Sequence, residues 1–193
     1  MSQPTATVQE VLDFWFGLPA TEVALPQWFR KDPAFDAQIA QRFGPTLAQA
    51  LVGGLDAWQN TPASTVALVV VLDQFTRNTR RNTPGAFAGD AKALRIAQAM
   101  VARGDDRQLD CWQRSFVYLP FEHAEDLAAQ AQALKLFADL ALEHPTTADQ
   151  HRWAVKHAEI IEQFGRYPHR NLVLGRVSTA QELLFLAQPG SSF

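Results

Sequence analysis

Apolar residues recur along this chain every three or four positions, the spacing that lays one stripe of side chains along one side of an α-helix. Val8, Val11, Leu12, Trp15 and Phe16 form such a stripe behind a capping box of Thr7 and Glu10, and Gly17 and Pro19 close it. Asp32 followed by Pro33 marks a second start. Phe35, Ile39 and Phe43 line its buried side, and Gly44-Pro45 predicts a break or kink before a helical continuation to Val52. The segment ASTVALVVVLDQF, opened by Thr61-Pro62, is rich enough in valine for a strand, but its N-cap, its proline and its uninterrupted length favour a buried helix. Further stripes predict a helix opened by Thr83-Pro84, carrying Phe87, Leu94 and Val101 and stopped at Gly104. Another runs over 109–119 and ends before Pro120, and one runs from about 124 to 142. A helix boxed by Thr147 and Gln150 buries Trp153, Ile160, Ile161 and Phe164 up to Gly165, and a last one is boxed by Ser178 and Gln181. The pattern predicts an all-α fold of eight or nine helices, paired antiparallel because the connections are short.

Composition narrows this picture. A chain of 193 residues, 47% of them hydrophobic, suits one helical domain over 1–193, with an ordered core of about 7–187 and a polar tail at 188–193. A net charge of −3 argues against a nucleic-acid or anionic-membrane partner. The longest apolar run, Val66–Leu72, is far short of the roughly 20 residues that span a bilayer. The lone Cys111 allows no internal disulfide and reads as a small core residue. With no leader-like N-terminus, these features predict a cytoplasmic protein.

One pattern is not explained by packing. QFTRNTRRN at 74–82 and QFGRYPHRN at 163–171 share Gln-Phe-x-Arg-x-x-x-Arg-Asn, each directly after an acid, Asp73 or Glu162. Arginines at helix ends satisfy free carbonyls, so capping is one reading of Arg77, Arg81, Arg166 and Arg170. The cations exceed what capping needs, and guanidinium forks suit a carboxylate or phosphate. The pattern therefore points to one anion site using both loops, with His169 at its rim and Asp73, Glu122 and Glu162 compensating the charge. A second constellation, Glu122-His123-Ala-Glu125-Asp126, follows Pro120. Its acids fit the start of a helix, and its histidine beside carboxylates fits general acid–base work. Asp73, Glu122 and His123 are thus the catalytic candidates. Arg77, Arg81, Arg166, His169 and Arg170 are the ligand-binding ones. Ligation by Glu122, His123 and Asp126 lacks any metal-binding spacing, so neither a metal nor a cofactor is expected. His157, on an apolar stripe, reads as a core histidine.

These stretches, with DFWFG (13–17), WFRKDPAFD (28–36), YLPFEHAEDL (118–127) and GRYPHRNLVLGRVST (165–179), resemble the bacterial domain-of-unknown-function 924 family over about residues 8–186. The resemblance implies a tetratricopeptide-like array of helical hairpins and supplies no established reaction. Two functions remain open at this point. One is a pocket for an anionic small molecule, with transfer or hydrolysis if it is turned over. The other is an interaction module that grips an acidic peptide or a C-terminal carboxylate.

Overall fold

A computed structural model of the chain describes residues 5–17 and 23–191, and Pro19 and the ends of the chain, including part of the polar tail, lie outside these. The described residues contain helices and no strand. Helix α1 (Val8–Phe16) carries the Thr7–Glu10 capping box, Thr7 Oγ1 accepting from Glu10 N while Glu10 Oε2 accepts from Thr7 N at 2.7 Å. Helix α2 (Pro33–Leu51) is capped by Asp32 and runs straight through Gly44-Pro45. Its buried stripe of Ile39, Phe43, Thr46, Leu47 and Ala50 is continuous across the proline, so packing outweighs the lost backbone hydrogen bond.

The valine-rich segment is helical and fully buried. Helix α3 (Pro62–Val69) opens under the Thr61 cap, widens into a π-helical turn at Val70–Phe75 and continues as α4 (Thr76–Thr79). Phe75 sits in an aromatic cluster with Phe14, Trp15 and Phe43. A 3-10 turn at Pro84–Phe87 precedes α5 (Asp90–Arg103), where the sequence predicted a single helix. The break falls at Gly89, whose missing side chain lets the α5 N-terminus rest on the Leu72 carbonyl; any Cβ there would collide with that oxygen.

Helix α6 (Cys111–His123) also contains its proline, Pro120, because residues 114–122 are buried between neighbouring helices and hold the rod together. Glu122 and His123 therefore end α6; the next helix, α7 (Leu127–Glu143), is capped by Asp126. α7 packs against α6 and against α8 (Ala148–Phe164), as their short connections require. Thr147 makes no cap for α8; its hydroxyl donates to His144 O at 2.8 Å instead. Trp153 is 45% exposed rather than buried, stacked under Lys156. The last capping box lies one residue later than predicted, on Thr179 and Glu182, and opens α9 (Ala180–Leu186). No helix among the described residues is long and apolar enough to cross a membrane.

Candidate functional site

The first arginine stretch begins inside the core. Asp73 lies in the π turn and is 1% exposed. Its carboxylate accepts from Arg77 Nη1 at 3.0 Å, His123 Nδ1 at 2.8 Å and Gln74 Nε2 at 2.5 Å. Burial opposes its ionisation, yet Arg77 and His123 beside it hold the carboxyl well below the usual carboxylate range. Arg77 turns its other edge to Asp90, bidentate at 2.9 and 3.0 Å, and the Gly89 approach puts Asp90 there. Arg81 is held by Asp36 at 2.5 and 3.0 Å, and Asn82 ends the stretch in the left-handed region at φ 59°.

The second stretch diverges after Phe164. Gly165 closes α8 with φ 68°, and Pro168 holds Tyr167 extended at φ −87°, ψ 107°. Arg166 then points away from the first loop: its guanidinium is bidentate on Glu182 at 2.6 and 2.8 Å. The sequence grouped it with the ligand-binding arginines, but the α9 capping acid holds it elsewhere. Glu162 is exposed and does not compensate the cluster. Arg170 turns inward, 7% exposed, between the rings of Tyr167 at 4.4 Å and Phe87 at 4.8 Å. Its Nη1 is 3.7 Å from Asp90 Oδ2, the oxygen that Arg77 Nη2 reaches at 3.0 Å. One arginine from each stretch thus meets at a single carboxylate, so the two loops lie side by side. Burial and the Arg77 charge push Arg170 down to about 10, and its Nε is buried with no hydrogen-bond partner.

The end of α6 supplies the imidazole. Asp73 is ionised and can only accept, so His123 Nδ1 carries the proton and Nε2 the lone pair. Burial and Arg77 keep this ring neutral against the pull of Asp73. Glu122, 3% exposed, sits below it with Oε1 3.1 Å from His157 Nδ1. Its Oε2 is buried without a hydrogen-bond partner. Burial and the nearby Asp73 carboxylate push Glu122 up to about 8, so at pH 7 it is mostly the neutral acid. Tyr167 pins the backbone here, its hydroxyl donating to Glu122 O at 2.5 Å. His157 Nδ1 is 2.9 Å from Trp153 O, a pure acceptor, which fixes that proton too. Burial lowers His157 to about 3 and His169 to about 4.

Arg77, Arg81, His123, His157, His169 and Arg170 line a half-open cavity of about 230 Å³, with Lys31, Asn82 and Phe87 at its wall. Asp73 and Glu122 lie behind it, against His123 and His157 respectively. The lining guanidiniums of Arg77, Arg81 and Arg170 are met by the carboxylates of Asp73, Asp90 and Asp36. With Glu122 and the imidazoles neutral, the positive excess of the lining is the exposed Lys31. No cluster of three or more histidine, cysteine or acidic side chains that could hold a metal occurs among the described residues. Cys111 stands outside the lining, and burial raises its thiol. Sequence reasoning missed Asp90, Lys31 and Phe87, and placed His157 in the core. His157 had one local signal, its position on α8 two turns before the second stretch.

Three comparisons with known proteins bear on this geometry. The model of the family described as "Bacterial protein of unknown function (DUF924)" matches residues 11–190, and the chain belongs to that family. A solved structure of a protein of unknown function from Agrobacterium tumefaciens is similar, with 37% identity and a TM-score of 0.83 over 93% of this chain and 96% of that one. Comparison with curated proteins gives no match.

Proposed function

We propose that this member of the DUF924 family binds a small anionic metabolite, a carboxylate or a phosphate, in the cavity between the two arginine stretches. Arg170 carries the reading. A guanidinium this buried, depressed toward 10 and sharing one carboxylate with Arg77, is under-compensated and faces a cavity. An anion there would complete its coordination, with Arg77 and Arg81 as further donors. His123 is the acid–base group, oriented by Asp73 through Nδ1 and free to exchange a proton at Nε2. Among the described residues the cavity wall holds no serine, threonine or cysteine, and in a transfer or hydrolysis His123 would be the base that activates the attacking group.

The alternative, a tetratricopeptide-like module gripping an acidic peptide, needs an open groove along several helices. The cations converge instead at loop ends around a small cavity, which favours the metabolite. The test is a thermal-shift titration with inorganic phosphate, phosphomonoesters and dicarboxylates. A ligand at a hundredfold excess over its dissociation constant stabilises the native state by about 2.7 kcal/mol, or about 5–10 °C for a domain this size. A flat response to every anion, with a response to acidic peptides, would replace this reading by the alternative.

A further inference from the structure

The cavity's hydrogen-bonding character is lopsided in a way that constrains the ligand beyond its charge. Arg77, Arg81, Arg170 and Lys31 can only donate. His123 Nε2 is the opposite: with Nδ1–H committed to Asp73, it presents a lone pair. An oxyanion placed against that lone pair is repelled, and burial and neighbouring Arg77 disfavour the proton on the ring that would relieve this. A simple anion therefore satisfies the arginines and leaves the imidazole facing nothing it can bind. What fits both sides is a molecule that is anionic at one end and carries a proton donor next to it.

We infer that the ligand is a hydroxylated anion, a hydroxy acid or a phosphorylated polyol, whose hydroxyl donates to His123 Nε2 while its acid group lies on Arg170, Arg77 and Arg81. This rests on the anion-binding reading above and adds a second contact. Size agrees, since a cavity of about 230 Å³ admits a compact metabolite and little more. The same hydroxyl is the group whose proton His123 would take in an acid–base step.

Calorimetric titration of the full chain with matched pairs decides this: glycerol 3-phosphate against propyl phosphate, and malate against succinate. At pH 7.5 the hydroxylated partner of at least one pair should bind at least tenfold more tightly, about 1.4 kcal/mol, the scale of one hydrogen bond. His123→Asn keeps a donor for Asp73 but removes the Nε2 acceptor. It should erase this preference while the deoxy partner binds as before. Should that variant not fold, the imidazole nitrogen-15 resonances of wild-type His123 serve, because a hydroxyl donating to Nε2 should shift that signal upfield with the hydroxylated partner and not with the deoxy one. Equal affinities within both pairs would overturn the inference and leave the anion site standing. A preference that persists in His123→Asn, or an Nε2 signal that responds alike to both partners of a pair, would place the hydroxyl elsewhere and also overturn it. Binding by none of the four compounds, nor by inorganic phosphate, would remove the anion site itself.

Discussion

The two arginine stretches begin with the same letters and end in different environments. At Asp73-Gln74-Phe75 the acid and the amide are buried, and the helix continues through Thr76–Thr79. At Glu162-Gln163-Phe164 both are exposed, and Gly165 stops the helix. One residue after the shared phenylalanine, threonine against glycine, accompanies the divergence. Thr76 Oγ1 donates back to Leu72 O at 2.8 Å and stays in the helix, which keeps Arg77 one turn above Asp73. Gly165 adopts a positive φ and releases Arg166 outward to Glu182. A repeated motif thus serves as a buried charge anchor in one place and as a loop that delivers one cation, Arg170, in the other.

Removing the acid should separate the two most sharply. Asp73→Ala leaves Arg77 with Asp90 alone and the buried His123 Nδ1 proton without its acceptor, and should cost about 3–5 kcal/mol in urea unfolding. Glu162→Ala should stay within about 0.5 kcal/mol. Equal losses would mean that the stretches are equivalent after all. Glycine substitutions extend the contrast. Gly89→Ala drives a methyl into the Leu72 carbonyl under the first stretch and should cost about 3 kcal/mol, with loss of anion binding as Asp90 moves. Gly165→Ala meets no neighbour and bears only its left-handed backbone cost, about 1–2 kcal/mol. Among the arginines the readout is affinity. Arg170→Gln should weaken phosphate binding ten- to a hundredfold, about 1.4–2.8 kcal/mol. Arg166→Gln should leave affinity unchanged, and the reverse ranking would move the site to α9.

The last contrast is one of pH. Glu122 is raised from its unfolded value near 4.5 to about 8, so the folded protein holds this proton more tightly. Its contribution is fully present below pH 4.5 and is lost as pH rises through 8. The melting temperature of Glu122→Gln minus that of wild type should therefore grow in the variant's favour from pH 5 to pH 8. The lowered histidines act in the opposite direction, costing stability as pH falls below about 6.5, and they are common to both proteins.

Much of the fold was legible because caps and apolar stripes are local signals: Thr7 with Glu10, Asp32 with Pro33 and Gly165 all stand where the sequence put them. Proline misled twice. Pro45 and Pro120 read as breaks, but the burial that carries a helix through a proline is a tertiary property. The second error moved Glu122 and His123 from the end of α6 to the start of α7, and so gave Glu122 a capping role that Asp126 fills. Asp90 was invisible for a related reason: its place beside Arg77 follows from two backbones touching at Gly89 and Leu72, far apart in the chain. His157 is buried and hydrogen-bonded, as its apolar stripe indicated, but the stripe does not show that the ring also lines a cavity.

The π turn at Val70–Phe75 has a consequence for phase. A wider turn holds one more residue than an α-helical turn does, and each residue of an α-helix advances the chain by about 100°. Wound as a uniform α-helix instead, the same residues would turn the chain further by the share of that surplus residue. Everything beyond them would then face about 100° away from its present bearing. Arg77 and Arg81 would keep their sequence, their spacing and their helix, yet leave the cavity. The bearing of this binding surface is thus set by one surplus residue in a buried helix, a kind of information that composition does not carry.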